Sequence, residues 1–338
     1  MTAEAALPRK TDNDGLLRNL GLAGVLIALI VIGVVTRPEL YSDPSWVKNN
    51  ILTILQQASA IGVVTVGMTF VIIGGGIDLS VGAIIALAGV WSTTLATQSY
   101  GAGGMVFTAL VVGVAVGLVN GALIAYGKLV PFIATLAMLV SARGLAAQIS
   151  GKQTQVSAND TINGIATTKL IGIPLLVWIL ALVVAAGWVL LNRTTFGRRT
   201  VAVGGNPEAA RLAGINVKRH TLLLYVLSGL CCGIAAIMLT SQATSAQAAM
   251  ANLYELDAIA AAIIGGTLLS GGRGTIVGAL FGVLVFSTIT NLFAINNLAT
   301  EVQNMVKGGI IVAAVLLQQF RYRSLTNLLR RRNDTDKS

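Results

Sequence analysis

Charged residues are scarce in this sequence. Asp, Glu, Lys and Arg make up 11% of its 338 residues, whereas 55% are hydrophobic and the mean hydropathy is +0.80. Soluble domains carry about 25% charged residues, so this composition excludes an ordinary soluble protein. A membrane-spanning helix needs about 20 mainly apolar residues. The chain is therefore predicted to be an all-α membrane protein, a polytopic bundle of about ten transmembrane helices.

Histidine and cysteine are nearly absent. His220 is the only histidine, which excludes an HExxH metalloprotease site and a histidine-based nucleophilic triad. Cys231 and Cys232 are adjacent in an apolar run and form neither a disulfide framework nor a CxxC motif. A GxxxxGK(S/T) phosphate loop is missing too. We therefore expect no catalytic or metal site and no cofactor bound by this chain. If ATP drives the protein, ATP and Mg bind to another subunit.

Apolar runs separated by charged, glycine-rich or proline-bearing breaks predict the spans. They lie at 17–36, 51–73, 79–96, 105–126, 131–149, 172–191, 220–242, 257–270, 274–293 and 303–319. The eighth, at about 14 residues, is short for a full crossing and is predicted to be tilted, broken or continuous with a neighbour. Residues 1–16 then form a cytoplasmic tail, 17–319 the transmembrane domain and 320–338 a basic cytoplasmic tail.

The basic residues give this arrangement an orientation. With the N-terminus inside, 17 of the 23 Lys and Arg residues fall in cytoplasmic segments and 4 outside, while Arg143 and Lys307 lie within spans. Because positive charge is enriched on the cytoplasmic side, both termini are predicted to be cytoplasmic. The topology accounts for the net charge of +10, and no nucleic-acid partner is expected.

A weak internal repeat relates two segments of the chain. GIDLSVGAIIA at 76–86 aligns with ELDAIAAAIIG at 255–265, which pairs Asp78 with Asp257. In the predicted topology the first copy turns on the cytoplasmic side and the second on the outer side, as an inverted repeat requires. Similar composition alone would produce the same match, so the inverted repeat is a candidate only.

The longest cytoplasmic loop, 192–219, contains the sequence of a short helix. Asn206 is suited to cap it, Pro207 to its first position and Gly214 to its end. Glu208 favours the positive end of the helix dipole. The loop is far longer than a simple helix connection needs. About two helical turns, Pro207 to Ala213, are therefore predicted.

The surface of this predicted helix is mixed. Ala209 and Leu212 lie beside the charged Glu208 and Arg211. One interpretation is a docking surface for a cytoplasmic partner. The other is an interfacial helix that rests on membrane lipid headgroups, with its arginines snorkelling. The residues by themselves favour docking.

Three glycines interrupt the apolar sequence after the second span. Gly74, Gly75 and Gly76 precede Asp78, and a break at membrane depth must be satisfied by protein or line a water-filled cavity. In transporters, broken helices mark the pathway. Asp78 is equally suited to cap the third helix, and this structural role is favoured over ligand contact. The same alternatives hold for Asp257.

Polar residues inside predicted spans are costly, and each either lines a pathway or bridges helices. The candidates for the translocation pathway are Gln56, Asn120, Phe132, Thr135 and Asn291. Arg143 and Lys307 lie near the membrane boundary and are predicted to snorkel.

Four stretches of the chain carry a family resemblance. They are VGMTFVIIGGGIDLSVG at 66–82, VPFIATLAMLVSARGL at 130–145, GGNPEAARLAGINV at 204–217 and YELDAIAAAIIGGTLLSGGRGTIVGAL at 254–280. In order and spacing, over nearly the whole length, the chain resembles the membrane permeases of ABC-type sugar importers, specifically the ribose-type branch.

The resemblance implies a set of partners. Such a permease pairs with a second copy or a related permease in the bacterial cytoplasmic membrane and sits on two cytoplasmic ABC ATPase subunits. It receives its sugar from an extracytoplasmic binding protein. The resemblance also makes the short helix of the 192–219 loop the expected coupling helix, with Asn206, Pro207, Glu208, Ala209, Arg211, Leu212 and Gly214 as its residues.

The predicted function is therefore ATP-driven import, by alternating access, of a ribose-like monosaccharide or sugar alcohol. The alternative is a secondary-active transporter of a small polar solute. That class usually carries a buried acidic residue for ion coupling, and the predicted spans lack a convincing one. Pentose, hexose and sugar-alcohol importers of this branch share the four stretches, so the sugar stays open, as does the choice between homodimer and heterodimer.

Overall fold

The computed structural model of the protein describes residues 13–313 and 316. The helices of this part of the chain are α1 (Asn13–Thr36), α2 (Pro38–Tyr41), α3 (Pro44–Ile73), α4 (Val81–Ser92), α5 (Leu95–Gln98), α6 (Gly101–Ala125), α7 (Pro131–Ile149), α8 (Asp160–Thr167), α9 (Leu175–Arg193), α10 (Thr195–Gly205), α11 (Pro207–Leu212), α12 (Val217–Ala243), α13 (Tyr254–Ile264) and α14 (Ile276–Ile295). Residues 300–313 are helical as well and are called the C-terminal helix below. Four two-residue strands are also present: β1 (Gln155–Val156), β2 (Lys169–Leu170), β3 (Ile173–Pro174) and β4 (Ser245–Ala246).

Seven helices of the described part are long and apolar enough to cross a membrane. They are residues 19–36 of α1, then α3, α6, α7, α9, α12 and α14, and they correspond to seven of the ten predicted spans. Helix α1 begins at Asn13, inside the predicted 1–16 tail. Residues 1–12, the end of the tenth predicted span and the tail at 320–338 lie outside the described residues.

The predicted span 79–96 is wrong as one uninterrupted helix, whereas the predicted span 257–270 is short, as its length indicates. Helix α4 has 12 residues and α13 has 11. At 1.5 Å per residue each is about 17 Å long, little more than half of the ~30 Å hydrocarbon core. Helix α4 stops because Thr94 opens a separate short helix, accepting a hydrogen bond from the Thr97 amide. Helix α13 stops at Gly265, followed by the positive-φ Gly266.

The two short helices and the second half of α3 lie in the core of the bundle. Every residue of α4 except Trp91 is buried, and α3 is buried continuously from Ala58 to Ile73. Helices α1, α6, α7 and α9 instead keep apolar side chains exposed along their length. Exposed apolar surface of this kind suits a lipid solvent, where hydrocarbon meets hydrocarbon.

Helices α6 and α12 approach so closely that glycine is required between them. A Cβ atom on Gly113 would overlap the carbonyl oxygen of Gly229, and one on Gly229 would overlap that of Gly113. Small residues allow two membrane helices to meet backbone to backbone, so that van der Waals contact holds them together.

The candidate inverted repeat is only partly reflected in the fold. Its two copies lead into the short helices α4 and α13, whose first turns lie against each other, because a Cβ on Gly82 would meet Oε2 of Glu255 at 2.7 Å. The residue pairing is wrong, however. Residues 76–80 precede α4, whereas Glu255 to Ile259 are already helical. The repeat therefore stays a prediction, without the pairing of Asp78 with Asp257.

The strands mark one end of the bundle, called the sheet end below. Antiparallel β1 and β4 pair Gln155 with Ala246, which joins the segment after α7 to the segment after α12. Strands β2 and β3 form a hairpin that pairs Lys169 with Pro174. Helices α10 and α11 lie at the opposite end, since they connect the C-terminus of α9 to the start of α12.

The α6–α12 contact makes a stability prediction. Replacing Gly113 with alanine places a methyl group against a backbone carbonyl and should destabilise the protein by about 1–3 kcal/mol through overpacking. The melting temperature of the detergent-solubilised protein should fall. Gly103→Ala, on the same helix but with open space around its Cβ, is the matched control. Equal melting temperatures for the two variants would contradict the packing described here.

Candidate functional site

The predicted short helix is present as α11, and its start is built as the sequence indicates. Asn206 has an extended backbone and its side-chain oxygen accepts hydrogen bonds from the amides of Glu208 (3.1 Å) and Ala209 (3.0 Å). Pro207 occupies the first helical position. The side-chain cap satisfies two amides that the first turn leaves without helical partners.

The end of α11 is equally defined. Gly214 has φ +82°, its amide donates to the Arg211 carbonyl at 3.0 Å, and the Ile215 amide donates to the Ala210 carbonyl at 3.0 Å. Such a glycine stop satisfies the last carbonyls of a helix. Capped at both ends, six helical residues are held as a compact projection.

The surface of α11 combines one ion pair with one apolar side chain. Arg211 donates to both carboxylate oxygens of Glu208, the Nη2–Oε1 distance being 2.6 Å. These hydrogen bonds and the guanidinium charge hold the pKa of Glu208 below its usual value. Leu212 is 74% exposed, whereas Ala210 is buried against the bundle. The outward surface of α11 therefore presents one apolar side chain beside an exposed ion pair.

Helix α10, which the sequence analysis treats as loop, anchors this projection to the bundle. The Thr194 hydroxyl caps α10 by accepting from the amides of Phe196 and Gly197. The Thr200 hydroxyl lies 2.9 Å from Nε2 of His220 at the start of α12, and the Phe196 ring packs on that imidazole at 4.7 Å. The predicted 192–219 loop is thus mostly helical, with α10 fixed to α12.

A buried polar cluster lies around residues 74–80, the break between α3 and α4, which is called the first break below. It is on the side of the bundle that carries α10 and α11. Oδ1 of Asp78 accepts hydrogen bonds from the amide (3.0 Å) and hydroxyl (2.5 Å) of Ser80, and Oδ2 accepts from the Ser228 hydroxyl at 2.9 Å. Asn120 donates to the Ser80 hydroxyl at 2.8 Å, and Tyr225 donates to the Ile77 carbonyl at 3.2 Å. The cluster ties the α3–α4 break to α6 and α12.

Asp78 therefore acts within the turn that precedes α4. The N-terminal cap residue of α4 is Ser80, whose side chain makes no capping hydrogen bond to the helix. Asp257 does not cap α13 either, because Leu253 is the cap residue and Asp257 lies in the first turn. Its carboxylate pairs with Nζ of Lys307 at 3.2 Å, which connects α13 to the C-terminal helix.

The prediction that Arg143 and Lys307 snorkel is wrong, since both point at protein groups. Arg143 donates to the carbonyls of Ala248 (2.7 Å) and Met250 (3.5 Å), and it attracts Glu255 electrostatically. Placing a charge within the membrane costs free energy, and hydrogen bonds to protein groups lower that cost. Arg143 consequently fixes the segment between β4 and α13 against α7.

The five candidate pathway residues do not converge on one channel within the chain. Asn120 and Thr135 are buried near the first break, where the Thr135 hydroxyl donates to the Pro131 carbonyl at 2.9 Å. Gln56 bridges α3 to α8 through the Ala166 carbonyl at 3.2 Å. Asn291 donates to Oδ1 of Asn50 at 3.0 Å, and Phe132 is 52% exposed on α7.

A shallow cleft opens at the sheet end. Its volume is about 250 Å³, and its lining includes Gln242, Ser245, Gln247 and Tyr254. None of the candidate pathway residues lines it. The cleft and the cluster around Asp78 are separate features of the bundle.

Comparison with known proteins places the chain in a family. Residues 50–315 match the profile of a family described as branched-chain amino acid transport system / permease component. The chain belongs to this permease family. The ribose import permease protein RbsC of Bacillus subtilis is 40% identical over 314 residues, which is 90% of this chain and 94% of the relative. RbsC of Escherichia coli K12 is 38% identical over 86% and 92% of the two chains.

The relatives also extend beyond ribose permeases. The L-arabinose ABC transporter permease protein AraH of Azospirillum brasilense is 34% identical, over 94% of this permease and 93% of the relative. No solved structure matches the chain. The resemblance to ribose-type ABC sugar permeases is confirmed, and the protein is a multi-pass permease of the bacterial cytoplasmic membrane.

Several contacts of the buried polar cluster and of α13 were missed in the sequence. Ser228 and Tyr225 complete the cluster around Asp78 from about 150 positions away, and no local signal marks them. Glu255 is 7% exposed, and its Oε2 has no hydrogen-bond partner in the part of the chain that the structure describes. An acidic residue at the start of an apolar helical run is the sequence signal that could have marked Glu255, whereas the approach of Arg143 is visible only in the structure.

The Asp78 cluster generates a prediction. Ser228→Ala removes the donor to one oxygen of a fully buried carboxylate, which should cost about 1–3 kcal/mol. The permease in detergent should melt at a lower temperature than the unmodified protein. Ser99→Ala is the control, because the Ser99 hydroxyl is exposed and contacts a carbonyl of its own turn. A melting temperature for Ser228→Ala as high as that of the control would show that the cluster adds no stability.

Proposed function

We propose that this permease is the membrane subunit of an ATP-driven ABC importer for a ribose-like monosaccharide or sugar alcohol. The family description names branched-chain amino acids, whereas the three relatives described above are named for ribose and L-arabinose. A further relative from Escherichia coli K12, 35% identical, is named a galactofuranose transporter permease protein. Agreement among full-length relatives is the observation that carries the choice of sugars as the substrate class.

Helix α11 is the docking site for the ABC ATPase in this proposal. It is capped at both ends, anchored through α10, and presents Leu212 beside an exposed ion pair. The competing role, contact with lipid headgroups, would leave Glu208 facing an anionic surface. ATP and Mg would bind to the ATPase subunits. Helix α11 would be the contact through which the conformational state of the ATPase reaches this chain.

The proposed topology has ten crossings with both termini in the cytoplasm. The segment 74–98, which contains α4 and α5, and the segment 244–275, which contains α13, would account for two interrupted crossings, and the C-terminal helix for the last. Support comes from the positions of the chain turns. The turn after α3, the end of α10 and the turn after α13 all meet at one end, since the Gly272 amide donates to the Ile73 carbonyl at 2.8 Å and Gly204 packs between them. The ten-crossing topology requires these three turns to lie on the same side of the membrane.

The translocation pathway is proposed to lie between two permease subunits, a second copy or a related chain. Within one chain Asn120 and Thr135 are closed off by packing, while Phe132 faces outward from α7. Movement of α7 and of the α3–α4 break would alternately expose this region to each side. The extracytoplasmic binding protein would deliver the sugar at the sheet end.

Reconstitution tests this function against the secondary-active alternative. The permease would be placed in liposomes with its ATPase and supplied with the sugar-loaded binding protein outside and ATP inside. Uptake of labelled ribose, arabinose or galactose that requires all three components is the expected result. Uptake by the permease alone under a proton or sodium gradient would favour the secondary transporter. A thermal-shift screen of the binding protein with sugars would name the substrate, because ligand binding raises the melting temperature.

The docking role of α11 makes a separate prediction. Leu212→Asp and Arg211→Glu should abolish copurification of the ATPase and sugar transport, while membrane insertion stays normal. Leu212→Asp introduces a charge that must be desolvated on binding, and Arg211→Glu reverses a charge that faces the partner. Arg219→Glu, an exposed charge change on neighbouring α12, should have little effect.

Exchanging the two charged residues of α11 distinguishes the effect of the surface charges on a partner from the effect of the ion pair on the helix. The double variant Glu208→Arg, Arg211→Glu keeps an ion pair at (i, i+3) but reverses the charges offered to a partner. It should remain defective in ATPase binding. Normal copurification of the ATPase with Leu212→Asp would refute the docking site.

A further inference from the structure

Three glycine-containing segments meet at the end of the bundle opposite the sheet end. Gly75 lies in the break after α3, Gly204 and Gly205 end α10, and Gly271 and Gly272 lie in the break between α13 and α14. These five residues are called the glycine junction. They come from three distant parts of the sequence and are joined only by the fold.

The segments of the glycine junction touch through their backbones. The Gly272 amide donates to the Ile73 carbonyl at 2.8 Å. A Cβ on Gly204 would overlap the Ile73 carbonyl oxygen and lie 2.7 Å from the Gly272 nitrogen. One on Gly271 would lie 2.7 Å from the Gly204 carbonyl oxygen and 3.0 Å from Cα of Gly75. The three segments are therefore in direct backbone contact, without side chains between them.

Backbone conformation adds a second restriction. Gly75, Gly271 and Gly272 have φ angles of +85°, +83° and +72°. Residues with a Cβ seldom adopt this region, and a substituent at Gly271 or Gly272 would also collide with its neighbours. The junction is thus fixed both by conformation and by close packing.

The position of the junction in the chain connects three functional elements. Gly205 directly precedes Asn206, the cap residue of α11. Gly75 is followed at once by the turn that Asp78 holds before α4. The break that contains Gly271 and Gly272 joins α13 to α14. The helix that projects from the bundle is therefore one residue away from backbone contacts with both interrupted helices.

We propose that the glycine junction is a rigid connection that carries movement of α11 to the two short helices, α4 and α13. Tightly packed interiors have low compressibility, so a displacement of α10 and α11 must move both breaks or separate them. Gly75, Gly204, Gly271 and Gly272 are the positioning residues, and none of them touches sugar or ATP. Gly205 contributes only its backbone, so a methyl group at this position is accommodated. The proposal rests on the docking role of α11 and adds how that docking reaches the membrane bundle.

Neighbouring glycines of α10 provide the test and its control. In the permease–ATPase complex, Gly204→Ala should leave ATPase copurification and basal ATP hydrolysis intact. Stimulation of hydrolysis by sugar-loaded binding protein, and sugar uptake, should fall about tenfold, within the usual range of coupling between sites. Gly205→Ala, whose Cβ meets no atom of the described residues within 4 Å, should behave as the unmodified protein.

The outcomes separate this proposal from the docking role. Normal stimulation and uptake with Gly204→Ala would overturn the junction and leave docking untouched. Failure of docking would instead appear as normal ATPase copurification with Leu212→Asp. A loss of basal hydrolysis or assembly in Gly204→Ala would also count against a connection that acts only in transmission.

A distance measurement keeps the proposal testable if Gly204→Ala does not fold. Spin labels at Gly205→Cys and Arg273→Cys, both exposed positions, would be introduced after Cys231 and Cys232 are replaced by alanine. The distance between these labels should be the same in nucleotide-free and ATP-bound complexes. A label pair at Gly205→Cys and Val156→Cys, which spans the bundle, should change its distance. Separation of the 205 and 273 labels on ATP binding would refute a rigid junction.

Discussion

The fold depends on one constraint: an interrupted helix inside a membrane must find protein partners for its free backbone groups, because lipid offers none. Helices α3 and α13 both stop at glycines and leave carbonyls and amides to be satisfied. Here the two breaks satisfy each other, through the amide of Gly272 and the carbonyl of Ile73. Tyr225 completes the first break by donating to the Ile77 carbonyl. The breaks are therefore junctions between elements and not loose connections.

The charges inside the bundle follow from the same constraint. Asp78 accepts three hydrogen bonds, Arg143 donates to carbonyls of the segment before α13, and Asp257 pairs with Lys307. Each charge connects a short or broken helix, or the segment next to it, to a neighbouring helix. Removing a single partner would leave a buried charge uncompensated, which is far more costly than the pair is stabilising. The buried polar and charged side chains thus position the two short helices, α4 and α13. These are the helices that we expect to move during transport.

Features encoded locally could be predicted from the sequence. The cap at Asn206, Pro207 at the first position and Gly214 at the end of α11 depend only on neighbouring residues, and the structure confirms that helix. Hydrophobic run length identified the long spans for the same reason. It failed for 79–96 because the apolar sequence continues past Thr94, where a new helix starts.

Features that depend on distant residues could not be predicted. Helix α10 lacks a continuous apolar periodicity and is held by contacts of Thr200 and Phe196 with His220. Ser228 lies 150 positions from Asp78, so nothing near either residue marks their hydrogen bond. The backbone contact between Gly204 and Ile73 is likewise created by tertiary packing. The membrane class and the short helix α11 were thus accessible from sequence, whereas the connections between them required the structure.

We infer that α11 is the contact through which an ATPase drives this permease. A photo-crosslinking amino acid at position 212 tests it most directly, in membranes that contain the cognate ATPase. The account predicts a covalent adduct of permease and ATPase from position 212, and none from the exposed position 171 at the sheet end. Adducts of position 212 with lipid alone, in membranes where the ATPase is present and active, would contradict it.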